Sequence, residues 1–241
     1  MTVKKVWLAL SMFTAALVAI ASACGILVGS IYARETASWI AQGMGQDIVT
    51  LTLATPLLII GAIAAARGSY SGRTVWLGAL IYLAYSYVVY AFFVHFGPLF
   101  LVYVAVLGTS VWALGGGLAG ADLTSESTRN AHWRWRKPAA ALLMLIAVSF
   151  AGLWLTDIIR SLAAGVAPAS ATTSGLAVNP VHVLDLAFLI PATIATSVLL
   201  WRRRPLGSLL AGPLLVFCAL LAAAILSMAF EMRLRGVQLG V

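Results

Sequence analysis

His182 and Asp185 stand three residues apart in the run Asn179-Pro180-Val181-His182-Val183-Leu184-Asp185, a spacing that puts both side chains on one face of a helix. Asn as N-cap followed by Pro at the first helical position is a helix start. A carboxylate beside an imidazole can orient the ring, so the pair can bind a proton or contribute two metal ligands. Asp185 lies roughly 7–8 Å along that helix from Pro180, at ~1.5 Å per residue, which makes it interfacial rather than central in a membrane. The structural alternative is an acid stabilised by the positive end of the helix dipole.

Asp47, beside Gln46, opens another apolar stretch at a similar level. It reads either as an N-cap or first-turn acid or as a ligand or proton group. His95 closes a third stretch just before Phe96-Gly97-Pro98, in a tight turn where an imidazole needs no special role. Tyr82, Ser86 and Tyr90 recur every fourth residue and form a polar stripe aimed toward His95. Together with Tyr103, these residues define a candidate pocket for a small ligand, ion or proton: Asp47, Tyr90, His95, Tyr103, His182 and Asp185. Any metal there would be held by His182, Asp185 and Asp47. Asp157 and Arg160 read as an i,i+3 ion pair, worth little at an exposed helix end.

Several chemistries lack their motif. The chain has no Gly-rich phosphate loop, no His-Glu-x-x-His, no Cys-x-x-Cys and no Gly-x-Ser-x-Gly. Its only lysines are Lys4, Lys5 and Lys137, so no mid-membrane lysine offers a Schiff base for retinal. The cofactor, if any, is left open.

The elements that must position these groups follow from composition. Of 241 residues 62% are hydrophobic and 9% charged, and the mean hydropathy is +1.02. A soluble domain is about 45–50% apolar and about 25% charged, so this chain lacks the polar residues to cover a surface in water. Lipid as solvent resolves the conflict. Runs of about 20 apolar residues cross the hydrocarbon as helices, and the alternation of a barrel strand is missing. The expectation is an all-α, single-domain bundle of seven spans, at about 6–32, 47–66, 74–94, 98–118, 138–157, 180–201 and 206–230.

Lys4-Lys5, an apolar run and Ala21-Ser22-Ala23-Cys24 resemble a secretory or lipoprotein signal. The apolar run continues to Tyr32, and the expectation is an uncleaved first span. Cys24 and Cys218 lie in apolar segments and read as small hydrophobes. Pro56 and Pro191 fall inside spans and should kink them unless neighbours replace the lost hydrogen bond. Gly116 and Gly120, with Gly115 and Gly117 beside them, offer close helix approach.

Charge follows topology. With the N-terminus inside, eleven Lys and Arg face two acids on the cytoplasmic side, and four face five acids on the outer side. Positive-inside bias therefore accounts for the net +8, and no nucleic acid is needed. The C-terminus falls outside, an orientation opposite to that of rhodopsins and G-protein-coupled receptors. Trp7, Trp76, Trp133, Trp135 and Trp201 read as inner-boundary anchors, Trp39 and Trp154 as outer ones. The segment from His132 through Trp133, Arg134, Trp135, Arg136 and Lys137 reads as an anchor for anionic lipid on the cytoplasmic face. The segment 160–179 reads as a linker.

Longer blocks carry a resemblance. They are Gly45-Gln46-Asp47, Arg67-Gly68-Ser69 with Gly72-Arg73, the tyrosines Tyr82, Tyr85, Tyr87 and Tyr90, and Phe96-Gly97-Pro98-Leu99-Phe100-Leu101-Val102-Tyr103-Val104-Ala105. Weaker blocks are His182-Val183-Leu184-Asp185-Leu186 and Arg203-Arg204-Pro205-Leu206-Gly207. In these the chain resembles a family of uncharacterised bacterial and archaeal multi-pass membrane proteins. The resemblance implies the architecture and a prokaryotic plasma membrane, and adds no mechanism. The functional expectation is an outward-facing polar pocket for a small ligand or ion, in a transporter-like or sensory role. The alternatives are a membrane enzyme using the same residues, and an accessory subunit held by a membrane partner.

Overall fold

The computed structural model of the chain describes residues 4–121, 123 and 134–237. Among them every regular element is helical. Seven helices are long and apolar enough to cross a membrane: Lys5–Leu27, Ala37–Ala66, Tyr70–Phe93, Phe100–Ala119, Arg136–Ala164, Pro180–Trp201 and Pro205–Leu234. We number them first to seventh.

Packing ranks them. The third helix is the centre, with 56% of its most apolar stretch buried, and the fifth is the rim, with 11%. The third packs against the second, fourth and seventh, while the fifth leans mainly on the sixth. The main core is built from the first four helices and the seventh, around Trp76, Tyr82, Leu83, Tyr87, Val106 and Phe217. A smaller cluster around Ala140, Leu143, Leu200 and Leu214 joins the fifth, sixth and seventh.

Three boundaries differ from the apolar runs. The first helix stops at Leu27, and the chain turns so that Tyr32 is buried. The second starts at Ala37, ten residues before Asp47, with Thr36 as N-cap accepting the Trp39 N–H (3.3 Å). Its early turns carry Gln46 and Asp47, which lower its hydropathy but are buried within the bundle. The fifth continues past Asp157 to Ala164.

A kink is the expectation at both prolines; what the structure shows ahead of each is a widened turn. Proline has no N–H, and its ring crowds the carbonyl four residues back. Ahead of Pro56 the turn Thr50–Ala54 is a π-helix, closed by Thr55 N–H to Thr50 O, which also accepts the Thr55 hydroxyl (2.8 Å). Ahead of Pro191 the turn Asp185–Leu189 does the same, closed by Ile190 N–H to Asp185 O.

Aromatic and basic residues sort differently from the interfacial reading. Trp76 is fully buried and donates to Ser11 Oγ (2.8 Å), making it a core group. Gly116 admits the Trp7 ring so closely that a Cβ would collide with it, whereas Gly120 meets only its own helix. In the basic segment, Trp135 is exposed beneath Arg134, and Lys137 lies over the Trp201 ring at 5.8 Å. Arg136, read as part of the lipid anchor, is instead buried, with Nη1 lacking a hydrogen-bond partner among the described residues. Trp133 lies outside the described residues.

Candidate functional site

At the end of the bundle opposite the Arg67–Ser69 and Arg202–Arg204 turns lies a cavity of about 470 Å³. Its walls come from the second, third, fifth, sixth and seventh helices, and the segment 170–179 borders it. Residues 169–172 form a single helical turn there, so this stretch is a wall as well as a linker. The lining includes aromatic and sulfur-bearing side chains: Tyr32, Trp39, Tyr85, Tyr90, Phe150, Trp154, Met228 and Met232. Ser38, Gln42, Gln46, Ser86, Asn179 and Asp185 add polar groups.

Asp185 is 1% exposed and opens the π-helical turn of the sixth helix. The Tyr85 hydroxyl donates to its Oδ1 (2.8 Å) and the Trp154 indole N–H to its Oδ2 (2.7 Å). Trp154, expected among headgroups, thus belongs to the cavity wall. Asp185 meets its donors from two other helices, not from its own first turn.

His182 is buried but does not form the expected hydrogen bond with Asp185. Its ring stacks obliquely on Trp154 (4.7 Å between centroids), and Nε2 has no hydrogen-bond partner among the described residues. The nearest carboxylate oxygen to Nε2 is Asp157 Oδ2, at 3.7 Å. Asp157 also accepts from Ser170 (3.2 Å), so it ties the fifth helix to the segment 170–179 and the sixth helix; the expected ion pair with Arg160 does not form among the described residues.

Asp47 forms a second, separate cluster. It is 2% exposed and sits well inside the second helix, so the N-cap reading is wrong. The Tyr32 hydroxyl donates to Oδ2 at 2.5 Å. The Tyr90 hydroxyl lies 3.1 Å from Oδ1 and 3.2 Å from Gly43 O, one proton between two acceptors. A Cβ on Gly25 would collide with Asp47 Oδ2 and press on the Tyr32 hydroxyl, so the first helix closes this side because residue 25 has no side chain. Tyr87, Tyr90 and Tyr103 pack ring against ring at 5.1–6.0 Å. Tyr103 Oη is buried without a hydrogen-bond partner among the described residues. Burial, reinforced by the Asp47 charge, holds the Tyr32 phenol above its ordinary range.

The polar stripe of the third helix has an exact counterpart in need and geometry on the second. Gln46 Nε2 donates to Tyr82 Oη (2.8 Å) and Ser86 Oγ (2.7 Å), and Thr50 shares a hydrogen bond with Tyr82 (3.1 Å). In an apolar surround such groups must satisfy one another.

His95 is remote from both acids. Its backbone N–H and its Nδ1 meet Glu35 Oε1 at 2.8 and 3.0 Å, and its side chain is 58% exposed. Of the six expected pocket residues, Tyr90 and Asp185 line the cavity. Asp47 stands behind Tyr32 and Tyr90, and His95, Tyr103 and His182 lie off the lining. Among the described residues no three His, Cys, Asp or Glu side chains converge as a metal site; the set His182, Asp185 and Asp47 is split between the two clusters.

Sequence reasoning did not single out Tyr32, Tyr85, Trp154 or Glu35 as site residues. A signal existed for Tyr85: four tyrosines fall within nine residues, from Tyr82 to Tyr90, too many for one face. No protein-family model, curated protein or solved structure matches the chain.

Proposed function

We propose that this chain is a multi-pass protein of a prokaryotic plasma membrane that binds a small ligand in the described cavity, in a transporter-like or sensory role. The basic end faces the cytoplasm and its anionic lipid, as the charge asymmetry favours, so the cavity opens outward. The observation that carries this reading is a cavity of about 470 Å³ with a buried carboxylate in an aromatic wall. Ligand sites are concave, mostly apolar and typically about 300–1,000 Å³, with a few convergent polar groups. An enzyme built from Asp47, His182, Asp185 and His95 would need those groups at one place, and they occupy separate ones.

The test is thermal stabilisation of the purified protein in lipid nanodiscs by a panel of small organic molecules. A ligand that binds only the folded state raises its stability by mass action. At least one compound should stabilise the wild type and not Val89→Trp, which fills the cavity from a lining position. A panel that shifts neither protein, or both equally, refutes the pocket.

A further inference from the structure

We infer that the cavity takes a small organic cation, its positive group seated against Asp185 and its apolar body against the aromatic wall. This deepens the pocket reading and rests on it.

Three observations converge. Asp185 is 1% exposed, on the cavity wall, and among the described residues receives two side-chain hydrogen bonds, both from neutral donors, Tyr85 and Trp154. No Lys or Arg lines the cavity, and no salt bridge to Asp185 occurs among the described residues. A charge taken out of water needs a counter-charge as well as hydrogen bonds. Among the described residues no Lys or Arg supplies it, and Asp185 borders the cavity.

The walls suit the same ligand. Aromatic faces attract cations, most strongly when the site is desolvated, and recognise quaternary ammonium groups where several rings converge. Tyr85 and Trp154 each pair a ring with a polar hydrogen already spent on Asp185. Both rings still border the cavity, with Trp154 also packed on His182 and Phe150 and Tyr85 on Phe217. Met228 and Met232 add adaptable, polarisable surface. An anionic ligand would meet Asp185 with nothing to offset the repulsion.

The alternative occupant is a neutral molecule beside a carboxyl that simply carries a proton. The experiment separates them. Benzyltrimethylammonium and its uncharged carbon isostere, neopentylbenzene, are titrated into the protein in phosphatidylcholine nanodiscs, with Trp fluorescence as readout. The cation is expected to bind at least ten-fold more tightly than the isostere, and Asp185→Asn to weaken the cation at least ten-fold while leaving the isostere unchanged. Tyr85→Phe, which keeps the carboxylate and removes one of its neutral donors, should strengthen cation binding two- to five-fold. A purely structural Asp185 would give no gain there.

Equal binding of the two probes, or cation binding indifferent to Asp185→Asn and Tyr85→Phe, overturns the cation assignment and leaves the pocket standing. Binding of neither probe also overturns it. The pocket is then judged separately, by the compound panel and Val89→Trp.

Discussion

Asp47 and Asp185 are the same residue in nearly the same local setting. Both are almost fully buried, at 2% and 1% exposure. Both sit on a helix with a π-turn ahead of a proline, and both are approached by two aromatic side chains bearing a polar hydrogen. What surrounds them differs. Asp47 is wedged between Gly25 of the first helix and the tyrosines and does not line the cavity. Asp185 stands on a cavity wall. Burial alone does not make a binding site: an enclosed acid ties helices together, whereas an acid beside free volume can be answered by a ligand.

The two clusters can be pried apart by like-for-like changes. Asp47→Asn turns an acceptor into a group with an N–H₂ facing two donors in a space that cannot rearrange. We expect a loss of about 3 kcal/mol, from buried groups left unsatisfied. Asp185→Asn should cost only about 1 kcal/mol, because the amide can turn toward the cavity, where water can answer it. Equilibrium unfolding in mixed micelles measures both, and equal losses would erase the distinction.

Gly25→Ala probes the enclosure itself. Its methyl group collides with Asp47 and crowds Tyr32, for an expected loss of about 2 kcal/mol by overpacking. A neutral result would mean the first helix is free to move away. Ser86→Ala comes next, removing one acceptor of Gln46 while Tyr82 remains; about 1 kcal/mol is expected in the same assay. Smallest is His95→Ala, whose exposed ring touches neither cluster. A change within about 0.5 kcal/mol is expected, with ligand stabilisation unaltered. Loss of ligand stabilisation in His95→Ala would join a region that the structure keeps separate.

Much of the scaffold was legible because lipid imposes a one-dimensional rule: each crossing needs a long apolar run. Seven runs became seven helices, and the proline turns fell where ring sterics demanded. The second helix was misread at its start because hydropathy cannot tell a polar residue facing water from one facing another helix. Gln46 and Asp47 lower the local hydropathy, yet they answer Tyr82, Ser86, Tyr90 and Tyr32. The site was legible as a set of residue types and only partly as a place: Asp185 and Tyr90 reached the cavity, and His95 did not.

By itself the sequence determined the helical class, the number of helices long and apolar enough to cross a membrane, the asymmetry of charge along the chain and the polar stripe on the third helix. These depend on composition and on periodicity within one segment. Only the tertiary structure decided which acid is enclosed and which faces a cavity. Asp185 is met by Tyr85 from 100 residues away and Trp154 from 31, and Asp47 by Tyr90 from 43. Partners that distant are chosen by how helices pack, and neither hydropathy nor spacing along the chain carries that information.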